Sequence, residues 1–107
     1  MNDFHLRLIS INLFLSTVTD AGLDLSKSKR ILDIGAGTGE VTSTIAKMAP
    51  NAEKIIGLDL ASDYVEYAKE TQTDQRIEYV IRDATEPFPD DWRFDVVSTM
   101  CIRYKQK

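Results

Sequence analysis

A chain of 107 residues with a net charge of −4 has room for one domain and carries no surplus of positive charge. It is 43% hydrophobic and 28% charged, a balance typical of folded chains, which argues against disorder. The negative charge removes the electrostatic attraction that nucleic-acid binding requires, so we expect no nucleic-acid partner. The single cysteine, Cys101, excludes an internal disulfide and favours a reducing, cytoplasmic location. The single histidine, His5, has no neighbours that would complete a metal site, so we expect none.

The first segment of the chain is predicted to be a helix from Asp3 to Thr19, in a unit of residues 1–22 that ends at a glycine. Its apolar residues recur at helical spacing: Phe4, Leu8, Ile11, Leu15 and Val18. The run from Leu8 to Leu15 resembles the apolar part of a secretory leader, but its polar interruptions and the absence of a small-residue cleavage site favour the helix. No run approaches the length of a membrane span, so we expect no membrane partner.

From residue 29 onward, short apolar runs alternate with helical patterns. Strands are predicted at Arg30–Ile34, Ile55–Asp59, Ile77–Ile81 and Phe94–Thr99. A helix closed by Pro50 follows the first strand, and a helix capped by Ser62 follows the second. Because the strands do not alternate with polar residues, we predict a parallel α/β sheet covered on both faces, doubly wound and Rossmann-like. Ligands of such sheets bind at the carboxyl ends of the strands.

Three glycines at alternate positions follow Asp33 at the end of the first strand: Gly35, Gly37 and Gly39. Glycine permits a sharp turn and lets a ligand approach bare backbone. The alternative is a tight turn without a ligand, but three glycines exceed what a turn needs. The dinucleotide fingerprint would require glycine at position 40, where the sequence has Glu40. A carboxylate at a helix start opposes a pyrophosphate but suits a positively charged sulfonium, which favours S-adenosylmethionine over NAD.

Further candidate residues follow the second and third strands. Asp59 lies twenty residues after Gly39, where an acidic side chain accepts ribose hydroxyls; the alternative is a helix cap. Asp83 can accept from the adenine amino group while the Ala84 N–H donates to a ring nitrogen; the alternative is a turn. Leu60 can form an apolar wall for the purine, unless it belongs to the core.

These segments resemble the class I S-adenosylmethionine-dependent methyltransferases over Lys29 to Met100. The segments ILDIGAGTGEV, IIGLDLASDYVEYAK, IEYVIRDATEPFP and FDVVSTM are similar to the family's glycine motif, its ribose-binding strand and helix, and its third and fourth strands. The resemblance implies a strand order of third, second, first, fourth. It also implies that the glycine motif with Asp33 holds the methionine end of the cofactor, Asp59 the ribose and Asp83 the adenine.

A narrower resemblance, to juvenile-hormone-acid and other carboxyl methyltransferases, is carried by EVTSTIAK and by the Trp-Arg-Phe-Asp approach to the fourth strand. It implies a small-molecule acceptor with a carboxylic acid. The family continues for three more strands, whereas this sequence reads IRYKQK after Cys101. We therefore expect an incomplete cofactor-binding domain at residues 29–107, a truncated product without an assignable catalytic residue. The strand at Phe94–Thr99 would then be an open edge available for self-association.

Two other functions fit the same residues. A non-catalytic cofactor-binding or interaction protein would keep every motif and would need no acceptor pocket. Half of an NAD(P)-dependent oxidoreductase would keep the glycines and Asp59 but requires a different glycine spacing.

Overall fold

The computed structural model describes residues 25–99 and the backbone of residues 8–10. Within these residues, strands and helices alternate along most of the chain. The strands are β1 (Leu8–Ser10), β2 (Arg30–Ile34), β3 (Lys54–Asp59), β4 (Ile77–Ile81) and β5 (Val96–Thr99). The helices are α1 (Glu40–Met48) and α2 (Ser62–Thr71), and a 3-10 turn at Leu25–Lys27 precedes β2.

The strands form one parallel sheet in the order β1-β5-β2-β3-β4. Taken from the other edge, β4-β3-β2-β5 is the predicted order of third, second, first and fourth strand, so the Rossmann-like prediction is confirmed. Strands β2, β3 and β5 are buried along nearly their whole length, as expected of strands covered on both faces. The edge strand β4 buries only Tyr79 fully.

The core lies in two layers because neighbouring strand residues point to opposite faces of the sheet. On one face, Ile31 and Ile55 pack with Ile45 and Ala46 of α1. The other face carries a second layer, made by Leu32, Ile56, Leu58, Phe94 and Val97. The loop between β4 and β5 covers this second layer with partly buried aromatic residues, Phe88 and Trp92. That loop is therefore anchored to the sheet.

The N-terminal segment differs from its prediction over residues 8–10, which form a strand and not a helix. Strand β1 pairs in parallel with β5, with Leu8 opposite Val97 and Ser10 opposite Thr99. The backbone groups on the outer side of β5 offer hydrogen-bond partners along an extended segment, and these outweigh the helical spacing of the apolar residues. The prediction of an open edge at Phe94–Thr99 is therefore wrong. The rest of the predicted helix at Asp3–Thr19, and of the 1–22 unit, lies outside the described residues.

Helix α2 also begins differently from the prediction. Ser62 is its first residue, and Ala61 occupies the N-cap position without a side-chain capping bond. The Ala61 N–H instead donates to the Asp59 carboxylate at 3.0 Å. The predicted Ser62 cap is therefore wrong, because an acceptor at the end of β3 already binds the backbone just before the helix.

Candidate functional site

The loops that follow β2, β3 and β4 meet at one edge of the sheet, because the strands are parallel and in register. The Gly35 and Ala36 N–H groups both donate to the Leu58 carbonyl oxygen, each at 2.8 Å. The loop after β2 is thereby fastened to the end of β3. This arrangement brings the glycines beside Asp59, as the sequence predicted for these strand ends.

All three glycines of this loop adopt positive φ angles: 78° at Gly35, 59° at Gly37 and 96° at Gly39. Two of them differ in what surrounds them. A Cβ at Gly39 would lie 2.9 Å from the Tyr79 hydroxyl and 3.0 Å from Gln72 Cγ, so packing requires glycine there. A Cβ at Gly37 would meet nothing within 4 Å, so the space beside this backbone is open. The open side of Gly37 is where a ligand can approach the chain closely.

The Asp59 carboxylate joins the glycine loop to the start of α2. Its Oδ2 accepts the Gly37 N–H at 2.8 Å and its Oδ1 accepts the Ala61 N–H at 3.0 Å. A carboxylate offers about four acceptor positions, so these two bonds leave capacity for further donors. Asp59 is only half-buried, and it therefore presents negative charge at the open side of the loop. The capping alternative and the binding role are compatible here, because one side chain has the capacity for both.

Asp33 has a different position from the one its motif suggests. Its side chain is 0% exposed, and it accepts the Thr42 hydroxyl at 2.6 Å and the Ser98 hydroxyl at 2.9 Å. Burial raises the pKa of Asp33 to about 6, and the two hydrogen bonds oppose that rise. The carboxylate therefore lies beneath the glycine loop, where it connects β2 to α1 and β5, and not on the open surface.

The residues predicted to face the purine lie at the ends of β3 and β4. Leu60 is 66% exposed, so it does not belong to the core. Asp83 Oδ1 accepts the Thr85 N–H at 2.9 Å and the Thr85 hydroxyl at 2.6 Å. Asp83 therefore forms a turn, which was the alternative to an adenine contact. Ala84 is half-buried and packs against the second layer of the core. All three residues lie just after the ends of β3 and β4. Leu60 provides an apolar side chain there, Asp83 a carboxylate, and Ala84 a half-buried position.

The sequence did not reveal Ile81 as part of this border. Ile81 ends β4 directly opposite Asp59, and it is 47% exposed. Like Leu60, it is an exposed apolar residue at the strand ends that carry Asp59. The signal that could have identified it is register: the last residue of a parallel strand lies beside the last residue of its neighbour.

Two residues that support the glycine loop were also not predicted from the sequence. Gln72, just after α2, donates to the Thr38 carbonyl at 3.5 Å and accepts the Ser43 hydroxyl. Tyr79 lies under Gly39, and burial raises the pKa of its hydroxyl to about 12. Both contacts join residues far apart in the chain, so no local pattern announces them.

Glu40 lies exposed at the first position of α1. It accepts a hydrogen bond from the Thr38 hydroxyl, and this bond lowers the pKa of Glu40. The side chain is therefore negatively charged at neutral pH. A pyrophosphate at this helix start would meet that charge, which weighs against the NAD(P) alternative.

Within residues 25–99 and 8–10, no group of three or more His, Cys, Asp and Glu side chains is placed to hold a metal ion. No helix in the same part of the chain is both long and apolar enough to cross a membrane.

Comparison with known proteins identifies the family. A family model described as a methyltransferase domain matches residues 31–107. The chain is 31% identical over 81 residues to the ubiquinone/menaquinone biosynthesis C-methyltransferase UbiE of Vibrio campbellii, which covers 70% of this chain and 31% of that protein. It is 36% identical over 94 residues to a fatty-acid O-methyltransferase of Mycolicibacterium smegmatis, covering 87% and 32%.

Solved structures agree with this assignment. An S-adenosylmethionine-dependent methyltransferase from Mesorhizobium loti superposes with a TM-score of 0.65 at 25% identity, covering 81% of this chain and 38% of that one. The plantazolicin methyltransferase BpumL in complex with SAH superposes with a TM-score of 0.63 at 22% identity, covering 78% and 32%, which is a likeness of fold. This chain thus spans about a third of the length of the proteins it matches. With most of its residues matched by the family model and its sheet order that of the fold, the chain belongs to the class I S-adenosylmethionine-dependent methyltransferases.

Proposed function

We propose that this chain binds S-adenosylmethionine at the carboxyl ends of β2, β3 and β4, for methyl transfer to a small-molecule acceptor. The observation that carries the proposal is the Asp59 carboxylate, which accepts the Gly37 N–H at 2.8 Å beside backbone that faces open space. An acidic side chain at this strand end accepts ribose hydroxyls, and the negative charge of Glu40 at the helix start favours a ligand without phosphate.

The methionine end of the cofactor is assigned to the glycine loop. The open side of Gly37 gives room for close approach to the backbone, and Glu40 adds negative charge at the next turn. The negative charge of these carboxylates attracts a positively charged sulfonium and repels a phosphate. Asp33 acts from below, because its buried carboxylate fixes Thr42 of α1 against β2. The role of Asp33 in our proposal is therefore to position the loop.

The adenosine end is assigned to the next two strand ends. Asp59 accepts ribose hydroxyls with the acceptor positions that its two backbone bonds leave. Leu60 and Ile81 supply apolar surface for a face of the purine, and both are exposed in the structure. Asp83 accepts from the adenine amino group and the Ala84 N–H donates to a ring nitrogen.

The bound cofactor supplies an electrophilic methyl group on a sulfonium, and the chain's contribution is to hold that group in a fixed place. We propose a carboxylic acid as the acceptor, supported by the likeness to a protein named a fatty-acid O-methyltransferase. A carboxylate is already a nucleophile and needs no general base. The other matches include a C-methyltransferase, so the carboxylic acid is the finer part of the proposal. The cytoplasmic location that we infer rests on the single cysteine.

Calorimetric titration of the purified chain with S-adenosylmethionine, S-adenosylhomocysteine and NAD tests the cofactor assignment. We expect the two sulfur ligands to bind and NAD not to bind. Binding of NAD alone would contradict the proposal and favour the oxidoreductase alternative. Transfer of labelled methyl to a panel of fatty acids and phenols then tests the acceptor. Cofactor binding without transfer to any acceptor would favour the non-catalytic alternative for this chain.

A further inference from the structure

Arg82, the first residue after β4, is held by aromatic rings of the loop that follows it. Its guanidinium carbon lies 6.0 Å from the centroid of the Phe88 ring and 5.6 Å from that of Trp92. One of its terminal N–H groups donates to the Pro87 carbonyl oxygen. A cation over aromatic faces is attracted by the ring quadrupole, and more strongly where water is excluded. Arg82 therefore folds the loop back onto the end of the strand.

The rings that hold Arg82 are anchored to the core. Phe88 and Trp92 lie 5.4 Å apart between ring centroids, and Trp92 meets Phe94 edge to face at 5.7 Å. Phe94 is only 2% exposed and belongs to the second layer beneath the sheet. Ala84 packs on this same layer. Ala84 and the two rings that hold Arg82 therefore share the same buried support.

The guanidinium keeps this place at a cost. Its Nε is buried and has no acceptor among the residues that the structure describes. A buried donor without a partner is unfavourable, so the ring contacts and the bond to Pro87 must outweigh it. The net effect of these contacts is to fix the loop against the end of β4.

We propose that Arg82 is the positioning residue for adenine recognition: its contacts with Phe88 and Trp92 hold Asp83 and Ala84 where they meet the purine. This inference rests on the proposed function, because it assigns the two residues that directly follow Arg82 to the adenine. It predicts that Arg82 controls selectivity for the exocyclic amino group more than it controls general affinity. The residues that hold the ribose and methionine ends are on other loops and keep their places without it.

The test compares two ligands that differ only at the purine. S-Adenosylhomocysteine carries the amino group, whereas S-inosylhomocysteine carries a carbonyl in its place, so the Asp83 carboxylate favours the first. Affinities are measured by calorimetry for the wild-type chain and for Arg82→Ala, Arg82→Lys and Lys69→Ala. Lys69 is an exposed residue in the last turn of α2, and its removal deletes the same charge. Trp92 is the single tryptophan, so its fluorescence reports on the loop directly.

We expect the wild-type chain and Lys69→Ala to prefer S-adenosylhomocysteine and to change their Trp92 emission on binding it. In Arg82→Ala we expect that preference to fall by roughly tenfold, because a loop without its cation–ring contacts holds Asp83 and Ala84 less firmly. Arg82→Lys should fall between them, since it keeps the charge but not the planar group. If Arg82→Ala does not fold, Arg82→Lys decides the question by its preference alone.

The outcomes separate the two proposals. If the wild-type chain binds neither ligand, the cofactor assignment itself fails. If the wild-type chain binds and both Arg82 variants keep the full preference, the positioning role is wrong. An equal loss of affinity for both ligands would also overturn it, because that result indicates general support of the fold and not orientation of the adenine contacts.

Discussion

Asp59 carries more of the candidate site than any other single side chain, because it binds backbone on two loops and still has acceptor positions. Replacing it with alanine removes a charge-assisted pair of hydrogen bonds to ribose, which together contribute about 1.5–3 kcal/mol. We expect the affinity of Asp59→Ala for S-adenosylhomocysteine to fall by roughly 10–100-fold. Asp59→Asn, which keeps one acceptor oxygen, should lose less. Calorimetry on folded variants measures both, and unchanged affinity in Asp59→Ala would exclude the ribose role.

Asp33 gives the chain a pH dependence of stability that can be isolated. Its pKa is about 6 in the folded state against 3.8 for the unperturbed group, so the folded state binds the proton more tightly. The stability that it contributes is complete below about pH 4 and is lost as the pH rises through about 6, where the buried group must ionise. Across this pH range, the shift lowers the free energy of unfolding by an amount on the order of 3 kcal/mol.

The measurement is urea unfolding of the wild-type chain and of Asp33→Asn between about pH 4 and pH 7. Asparagine has nearly the same shape, and the Thr42 and Ser98 hydroxyls can still bond to it. We expect the wild-type stability, relative to the variant, to decrease across this range. A constant difference between the two proteins would show that Asp33 titrates normally and is not desolvated.

At the scale of the loop, Gly37 and Gly39 are glycines for different reasons. Gly37→Val places a branched side chain in open space at a φ of 59°, so it should block the ligand and cost about 1–2 kcal/mol in backbone strain. Gly39→Ala adds a clash with Tyr79 and Gln72 and should destabilise the fold more. Thermal unfolding and calorimetry together separate the two effects. Wild-type affinity in Gly37→Val would mean that the motif is only a turn.

Helix α1 ends on a contact that only the three-dimensional structure reveals. Arg76, just before β4, donates to the Ala49 carbonyl at 2.7 Å and to the Ala46 carbonyl at 2.9 Å, and it pairs with Asp74 at 2.7 Å. These carbonyls belong to the last turn and cap of α1, where a positive charge is favourable. We expect Arg76→Ala to lower the free energy of unfolding by about 1–3 kcal/mol. Arg76→Lys should recover part of it, and urea unfolding would show no loss if solvent replaces the bonds.

The elements differ in how far sequence could predict them. Strand β2, α1 and β4 follow from local pattern, because short, mainly apolar runs and Pro50 set their limits. Strand β1 could not be predicted, because its pairing depends on the open side of a strand that lies almost ninety residues later in the chain. The site shows the same division. The glycines and Asp59 can be recognised from their spacing in the sequence. The buried position of Asp33 cannot, because its Ser98 partner lies 65 residues later in the chain.

For the whole molecule, β1 decides whether the sheet has a reactive edge. Strand β5 buries all four of its residues, and its outer backbone groups pair with Leu8–Ser10. A strand of three residues is a short edge that pairs poorly with other chains, whereas an uncovered β5 would offer apolar backbone to a second molecule. The structure therefore replaces the expectation of self-association with a conditional one: the chain associates when β1 is removed.

Two deletions test this. Removal of residues 1–10 takes away β1, and removal of residues 1–7 leaves it in place as the matched control. We expect the full chain and the shorter deletion to sediment as monomers. The longer deletion should form dimers or larger species as the concentration rises, because the apolar strand β5 is then paired only with β2 and its outer side is exposed. Its cofactor affinity should change little in the monomeric fraction, since β1 lies beyond β5, away from the strand ends that carry the candidate site. Association of all three proteins to the same extent would show that β1 does not protect β5, whereas three monomers would show that the edge needs no cover.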